Sequence, residues 1–216
     1  MMKADELYGW LVDSCASSAC DPFDCHVVGA ILAIAAAEAQ AGGRSLLEGV
    51  GLSKSELLAL AGEMFPAACA VLDRAVGDRP VVLDVEEQSV RDILSMYCSR
   101  GDALEQRLIA MIARRCQAPH HLWQDLGLRD RGELSALMRR HFAPLAEKNR
   151  GDMKWKKFLY RMVCGAEGFT LCTSPVCSEC DDFQVCFGAE DGESRLARLR
   201  NGTPSADQAG QLMAAE

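Results

Sequence analysis

Aromatic side chains are scarce in this chain of 216 residues, at 6 % of positions, and positive charge is outnumbered, with 23 Lys and Arg against 31 Asp and Glu. The formal charge of −8 repels phosphate backbones and argues against a nucleic-acid partner. Long apolar runs are missing too. The longest, Val27 to Ala37, falls short of the roughly 20 residues that a membrane-crossing helix needs, so no membrane role is expected. Met1 to Trp10 is charged and amphipathic and lacks the basic and apolar regions of an export signal, which points to a cytoplasmic protein. No Ser–His–Asp grouping, phosphate-binding glycine loop or paired-carboxylate site stands out, and a turnover enzyme is not the expectation.

What the chain has in excess is cysteine: eleven residues, an odd number. In a reducing compartment, clustered cysteines more often bind metal or do chemistry than form disulfides.

Ala and Leu dominate the apolar residues and no convincing strand pattern is found, so the expected fold class is all-α. Ala4 to Ala16 reads as a first helix, and Asp24 as the cap of a second, running to about Gln40 and apolar all round. Ser53 and Glu56 have capping-box spacing before a helix to Phe65, and Pro66 starts another to Ala75. Asp84 and Glu87 precede Val90, Ile93, Leu94, Tyr97 and Cys98 on one helical face. Asp102 caps a helix carrying Leu104, Leu108, Met111 and Ile112. Leu122 to Leu126 is a short turn of helix, and Asp130 opens a segment to Phe142. Asp152 opens a last strong helix to Cys164, stopped by Gly165. Residues 1–190 are expected to form one helical domain, with a cysteine-rich cluster loop at 168–188 and a mobile tail at 191–216.

The loop reads Cys172-Thr-Ser-Pro-Val-Cys177-Ser-Glu-Cys180-Asp-Asp-Phe-Gln-Val-Cys186. Helical periodicity vanishes there, so the segment is organised by its ligands and not by burial. A C-x2-C pair lets two thiolates reach one centre from a tight turn, and the first three cysteines repeat the C-x4-C-x2-C spacing of plant-type ferredoxins. An iron–sulfur cluster on Cys172, Cys177, Cys180 and Cys186 is the expectation. A four-thiolate zinc site is the alternative, although such sites usually pair two C-x2-C knuckles and here there is one.

Around that motif stand further candidates. Cys164 ends the helix that feeds the loop and reads as a core residue or a fifth ligand. His121 and His141 are candidates to close a coordination sphere that the thiolates leave open, against the bland role of a hydrogen-bonded structural histidine. Lys154, Lys157 and Arg161 share one helical face, either simply solvated or placed to offset thiolate charge, attract an oxyanion or dock an acidic partner. Cys69, Cys98 and Cys116 lie among apolar neighbours and read as core. Cys15, Cys20 and Cys25 recur every five residues, which does not keep them on one helical face; a second metal site there, with His26, is a weak alternative.

The run from Met153-Lys-Trp-Lys-Lys-Phe-Leu-Tyr-Arg161 through Cys164, Gly168-Phe169 and the cysteine loop to Cys186-Phe187-Gly188 resembles the NifQ family of nitrogen-fixation proteins. So do His121-Leu-Trp-Gln-Asp-Leu-Gly-Leu128 and Arg140-His141-Phe142, and the resemblance is strongest from residue 120 to 188. It implies a molybdenum–iron–sulfur cluster on Cys172, Cys177, Cys180 and Cys186. It further implies that molybdenum, taken from molybdate, passes to the nitrogenase cofactor scaffold complex and the reductase component for iron–molybdenum cofactor biosynthesis. An iron–sulfur electron carrier and a zinc-stabilised interaction module are the rival functions. A helical DNA-repair glycosylase with a cysteine loop is a further rival, disfavoured by the acidic charge and the lack of a glycine-rich hairpin.

Overall fold

A computed structural model describes residues 3–15, 20–77, 81–166 and 183–201. Among the described residues the chain is all helical, with no strand. The elements are α1 (Ala4–Asp13), α2 (Pro22–Gln40), α3 (Leu46–Val50), α4 (Lys54–Met64), α5 (Pro66–Ala75), α6 (Val85–Met96) and α7 (Ala103–Cys116). They continue with α8 (Leu122–Asp125), α9 (Arg131–His141), α10 (Ala143–Lys148), α11 (Trp155–Ala166), α12 (Phe183–Phe187) and α13 (Arg195–Asn201).

Local chemistry sets most of these starts. The Ser45 and Ser53 hydroxyls accept from the backbone N–H of Glu48 and Glu56, whose carboxylates return the bond, so α3 and α4 both open on a capping box. Asp84, Asp102 and Asp130 cap α6, α7 and α9 in the same N3 register. Two expectations are corrected. Asp21 caps α2, and Asp24 is instead buried inside its first turn. Asp152, at φ 53°, precedes α11 without being its cap, and α11 runs through Gly165 to Ala166. Within the segments expected to be a cluster loop and a mobile tail, α12 and α13 are helical, and α13 packs on α1, α2 and α8.

Two helices carry the centre of the core. Twelve consecutive residues of α2, Asp24 to Ala35, are buried on every side. By length and composition α2 is long and apolar enough to cross a membrane, yet 67 % of its most apolar stretch is buried inside the protein, the environment of a core helix. In α7, all positions from Leu108 to Cys116 are buried. Around them α1 and α3 pack on α2, α3, α4 and α6 pack on α7, and α11 packs on α6, giving one contiguous apolar core.

Gly127, just after α8, makes the close approach to α2. It has φ +76°, and a Cβ there would lie 2.8 Å from Ile34 Cγ1 and 3.0 Å from the Ala30 carbonyl oxygen. Gly127→Ala combines left-handed strain with overpacking against backbone, together about 2–4 kcal/mol. A thermal melt of that variant should show its midpoint lowered by on the order of 10 °C; an unchanged midpoint would mean that the contact relaxes freely.

Candidate metal centre

The C-terminal cysteine loop is fixed at both flanks. Upstream, α11 buries Trp155, Phe158, Leu159 and Val163 in the core and presents Cys164, half-buried, in its last turn. Downstream, α12 is held against the start of the same helix. The Lys154 amide donates to the Cys186 carbonyl at 2.8 Å, Lys154 Nζ reaches the Gln184 carbonyl at 3.2 Å, and Phe187 packs on the core. Cys186 is thus a free, half-buried thiol on an anchored turn. Cys172, Cys177 and Cys180 lie outside the described residues.

Cys186 sits beside Lys154 at the start of α11, and Cys164 lies in the last turn of that helix, a rise of about 15 Å from Lys154 at 1.5 Å per residue. Of the basic residues, Lys157 and Arg161 are exposed while Lys154 is tied to α12. The lysine that sequence reasoning passed over is Lys156, which turns inward to a buried carboxylate.

The histidines divide likewise. His121 precedes α8, its Nδ1 3.1 Å from Oε1 of the buried Glu190, four residues beyond Cys186. His141 is fully buried and saturated. Its Nε2 lies 3.0 Å from Asp24 Oδ1, and its Nδ1 accepts from Arg100 Nη2 at 3.1 Å. Both ring nitrogens are therefore engaged inside the core. His26 is committed in the same way, to the Tyr8 hydroxyl at 2.7 Å and to Glu133 at 3.0 Å.

Between these features lies a polar clasp built from residues 120–128. Leu122, Trp123, Leu126 and Leu128 are buried, and Gln124 Nε2 donates to the Glu193 carbonyl at 3.0 Å. The Asp125 carboxylate, with no exposed surface, receives Lys156 of α11 at 2.6 Å, Arg195 of α13 at 3.1 Å and His120 at 3.2 Å. Arg195 also reaches Glu38 of α2 at 2.8 Å, as does Arg115 of α7. Burial pushes the Glu38 carboxyl upward, but Arg115 and Arg195 outweigh it and hold the group below the usual carboxylate range. The clasp ties the chain on both sides of the cysteine loop to the body of the protein.

A second group of thiols, for which a metal site was the weak alternative from sequence, converges in the structure. Cys15 follows α1, Cys20 precedes α2 and Cys25 lies in the first turn of α2; their three sulfurs all lie within 4.8 Å of one another. Cys15 and Cys25 are joined as a disulfide, with Cα atoms 6.5 Å apart, and Cys20 remains a thiol 3.7 Å from the Glu63 carbonyl oxygen. Burial and the Glu63 and Asp24 carboxylates push the Cys20 thiol up from its ordinary value. Of the remaining cysteines, Cys116 is a core residue whose thiol burial pushes up to about 12. Cys69 is half-buried against the Leu58 carbonyl.

Fold and site together define an all-helical protein bearing two groups of closely spaced cysteines. The NifQ family model matches residues 27–188, and the chain belongs to that family. It is 40 % identical over 172 residues to a protein NifQ homolog of Sinorhizobium fredii, covering 80 % of this chain and 75 % of the relative. A protein NifQ of Rhodobacter capsulatus is 37 % identical over 167 residues, 76 % of this chain and 90 % of its own length. One from Azotobacter vinelandii is 44 % identical over 99 residues, 45 % of this chain and 51 % of the relative. No solved structure matches the chain. Membership of the family implies a role in nitrogen fixation.

Proposed function

We propose that this chain carries a molybdenum–iron–sulfur cluster on Cys172, Cys177, Cys180 and Cys186 and donates its molybdenum to nitrogenase cofactor assembly in the cytoplasm. Molybdate is the metal source, and the scaffold complex and the nitrogenase reductase component are the receiving partners. One observation carries this reading: the C-x4-C-x2-C-x5-C set falls within the residues that match the family.

The residues present suit such a group. Four cysteines within fifteen residues supply the soft donors that iron–sulfur clusters require. Cys186 is a free thiol, half-exposed and held by backbone to Lys154 just before α11, which supports its assignment as one ligand. His121 supplies a nitrogen donor beside the chain leaving the loop. Glu190 at its Nδ1 fixes the ring, the arrangement by which carboxylates orient metal-binding imidazoles. We assign it the weaker ligand of a labile metal corner, one that can be released to an acceptor.

Protein isolated without oxygen from cells fixing nitrogen on molybdate should contain iron and molybdenum, at roughly three irons per molybdenum if molybdenum fills one corner of a cuboidal cluster. Iron without molybdenum in such cells leaves a donor awaiting its metal or an electron carrier, whereas zinc without iron points to an interaction module and overturns the donor reading. Cys177→Ala and Cys180→Ala should each lose most of the iron while keeping the helical far-ultraviolet signal. Full iron retention in both would remove the motif from the site.

A further inference from the structure

The thiol group formed by Cys15, Cys20 and Cys25 precedes the residues that match the family, which begin at 27, so the cluster-carrying role does not account for it. A disulfide uses two sulfurs and leaves Cys20 unexplained, yet all three lie within 4.8 Å of one another. The Cys20 sulfur already lies within 4.8 Å of both sulfurs that reduction would free, near the separation of about 3.8 Å between thiolates on a tetrahedral zinc with Zn–S bonds of about 2.3 Å.

We propose that Cys15, Cys20 and Cys25, in their reduced form, make a three-thiolate site for a single thiophilic divalent cation of the zinc class, with its fourth coordination position open. Three elements deliver the ligands: the end of α1 brings Cys15, the turn before α2 brings Cys20, and the first turn of α2 brings Cys25. Cys25 is 1 % exposed, and the positive end of the 19-residue α2 favours a thiolate there. Cys15 and Cys20 are half-buried, so an ion can enter from solvent. His26 does not close the site, because the Tyr8 hydroxyl and Glu133 occupy its two ring nitrogens. A closed structural zinc site needs four protein ligands, whereas three with an open position let the ion exchange with an incoming donor. Loading the site involves no electron transfer beyond prior reduction: three thiols exchange three protons for one dication, leaving a complex of charge −1.

The probe is cobalt(II), added to the full-length chain under argon. A phosphine first reduces the Cys15–Cys25 bond to two thiols, taking oxygen from water to become the phosphine oxide. In a background carrying C172S, C177S, C180S and C186S, one cobalt per chain should bind with thiolate charge-transfer and tetrahedral d–d absorption, and zinc should displace it. Adding Cys20→Ser should weaken binding by at least about tenfold, while Cys69→Ser should leave it unchanged. In the otherwise unaltered chain, Cys20→Ser should remove one bound cobalt, which answers the question even if the fourfold variant folds poorly. Absence of the thiolate band in reduced protein, a Cys15–Cys25 bond that persists under phosphine, or cobalt binding indifferent to Cys20→Ser would each overturn the site.

Discussion

Asp125→Ala should destabilise the protein by about 3–5 kcal/mol, the range for removing one partner of a buried ion pair. The size follows from an asymmetry. Asp125 is a fully buried carboxylate with three cationic groups, Lys156, Arg195 and His120, directed at it. Removing it leaves the Lys156 ammonium, with about a fifth of its side chain exposed, no carboxylate partner and only the Ala118 carbonyl, and it takes from Arg195 one of its two carboxylates, Glu38 remaining. Removing Arg195 instead leaves Asp125 paired with Lys156 and Glu38 paired with Arg115, so Arg195→Ala should cost much less, about 1–2 kcal/mol. The two variants should also differ in where they loosen. Arg195→Ala frees α13 alone, and limited proteolysis should cut near residues 190–201 with the remainder intact. Asp125→Ala releases α11 as well, the helix that carries the chain into the cysteine loop, so global unfolding in urea should shift with it. Equal urea midpoints for the two variants would mean that Asp125 is not the hub.

The same aspartate shows what could be read from the residues alone. His121-Leu-Trp-Gln-Asp-Leu-Gly-Leu128 stands out as a family-like motif, but its purpose lies in contacts more than 30 residues away: Lys156, Glu193, Arg195 and Ala30. No local pattern encodes such a clasp. Helix starts with a capping aspartate or serine three residues before Glu were legible, because the signal is local, as at Ser53, Asp102 and Asp130. Asp24 misled for the same reason. It has cap chemistry, but Asp21-Pro22 offers both a cap and a proline at the first helical position, and that start wins. The five-residue recurrence of Cys15, Cys20 and Cys25 looked incoherent only on the assumption of one continuous helix. Because α1 packs on α2, the relevant distance is set by that packing and not by helical phase. The docking of α13 was missed because residues 191–216 read as a mobile tail; the buried Asp125 and half-buried Glu38 that receive Arg195 lie far away in sequence.

His141→Ala should cost about 2–4 kcal/mol while leaving the iron bound per folded chain unchanged. His141 has no exposed surface and joins three elements: its Nε2 faces Asp24 of α2 at 3.0 Å and its Nδ1 faces Arg100, before α7, at 3.1 Å. Glu105 of α7 stands 3.5 Å from the same Nδ1 and accepts the Arg100 and Gly101 amides at 2.7 Å. Truncation opens a cavity where the ring was and takes one partner from the buried Asp24, which keeps Arg140 at 2.9 Å. Arg100 retains Asp102, so the loss stays below that of stranding a charge altogether. The measurement pairs a urea titration with iron analysis of the folded fraction. A structural histidine lowers the midpoint and leaves iron per folded chain constant. A ligand does the opposite, lowering iron in protein that is still folded, and that outcome would place His141 at the metal centre. His121→Ala is the matched contrast: half-exposed beside Glu190, it should cost little stability and act on molybdenum retention instead.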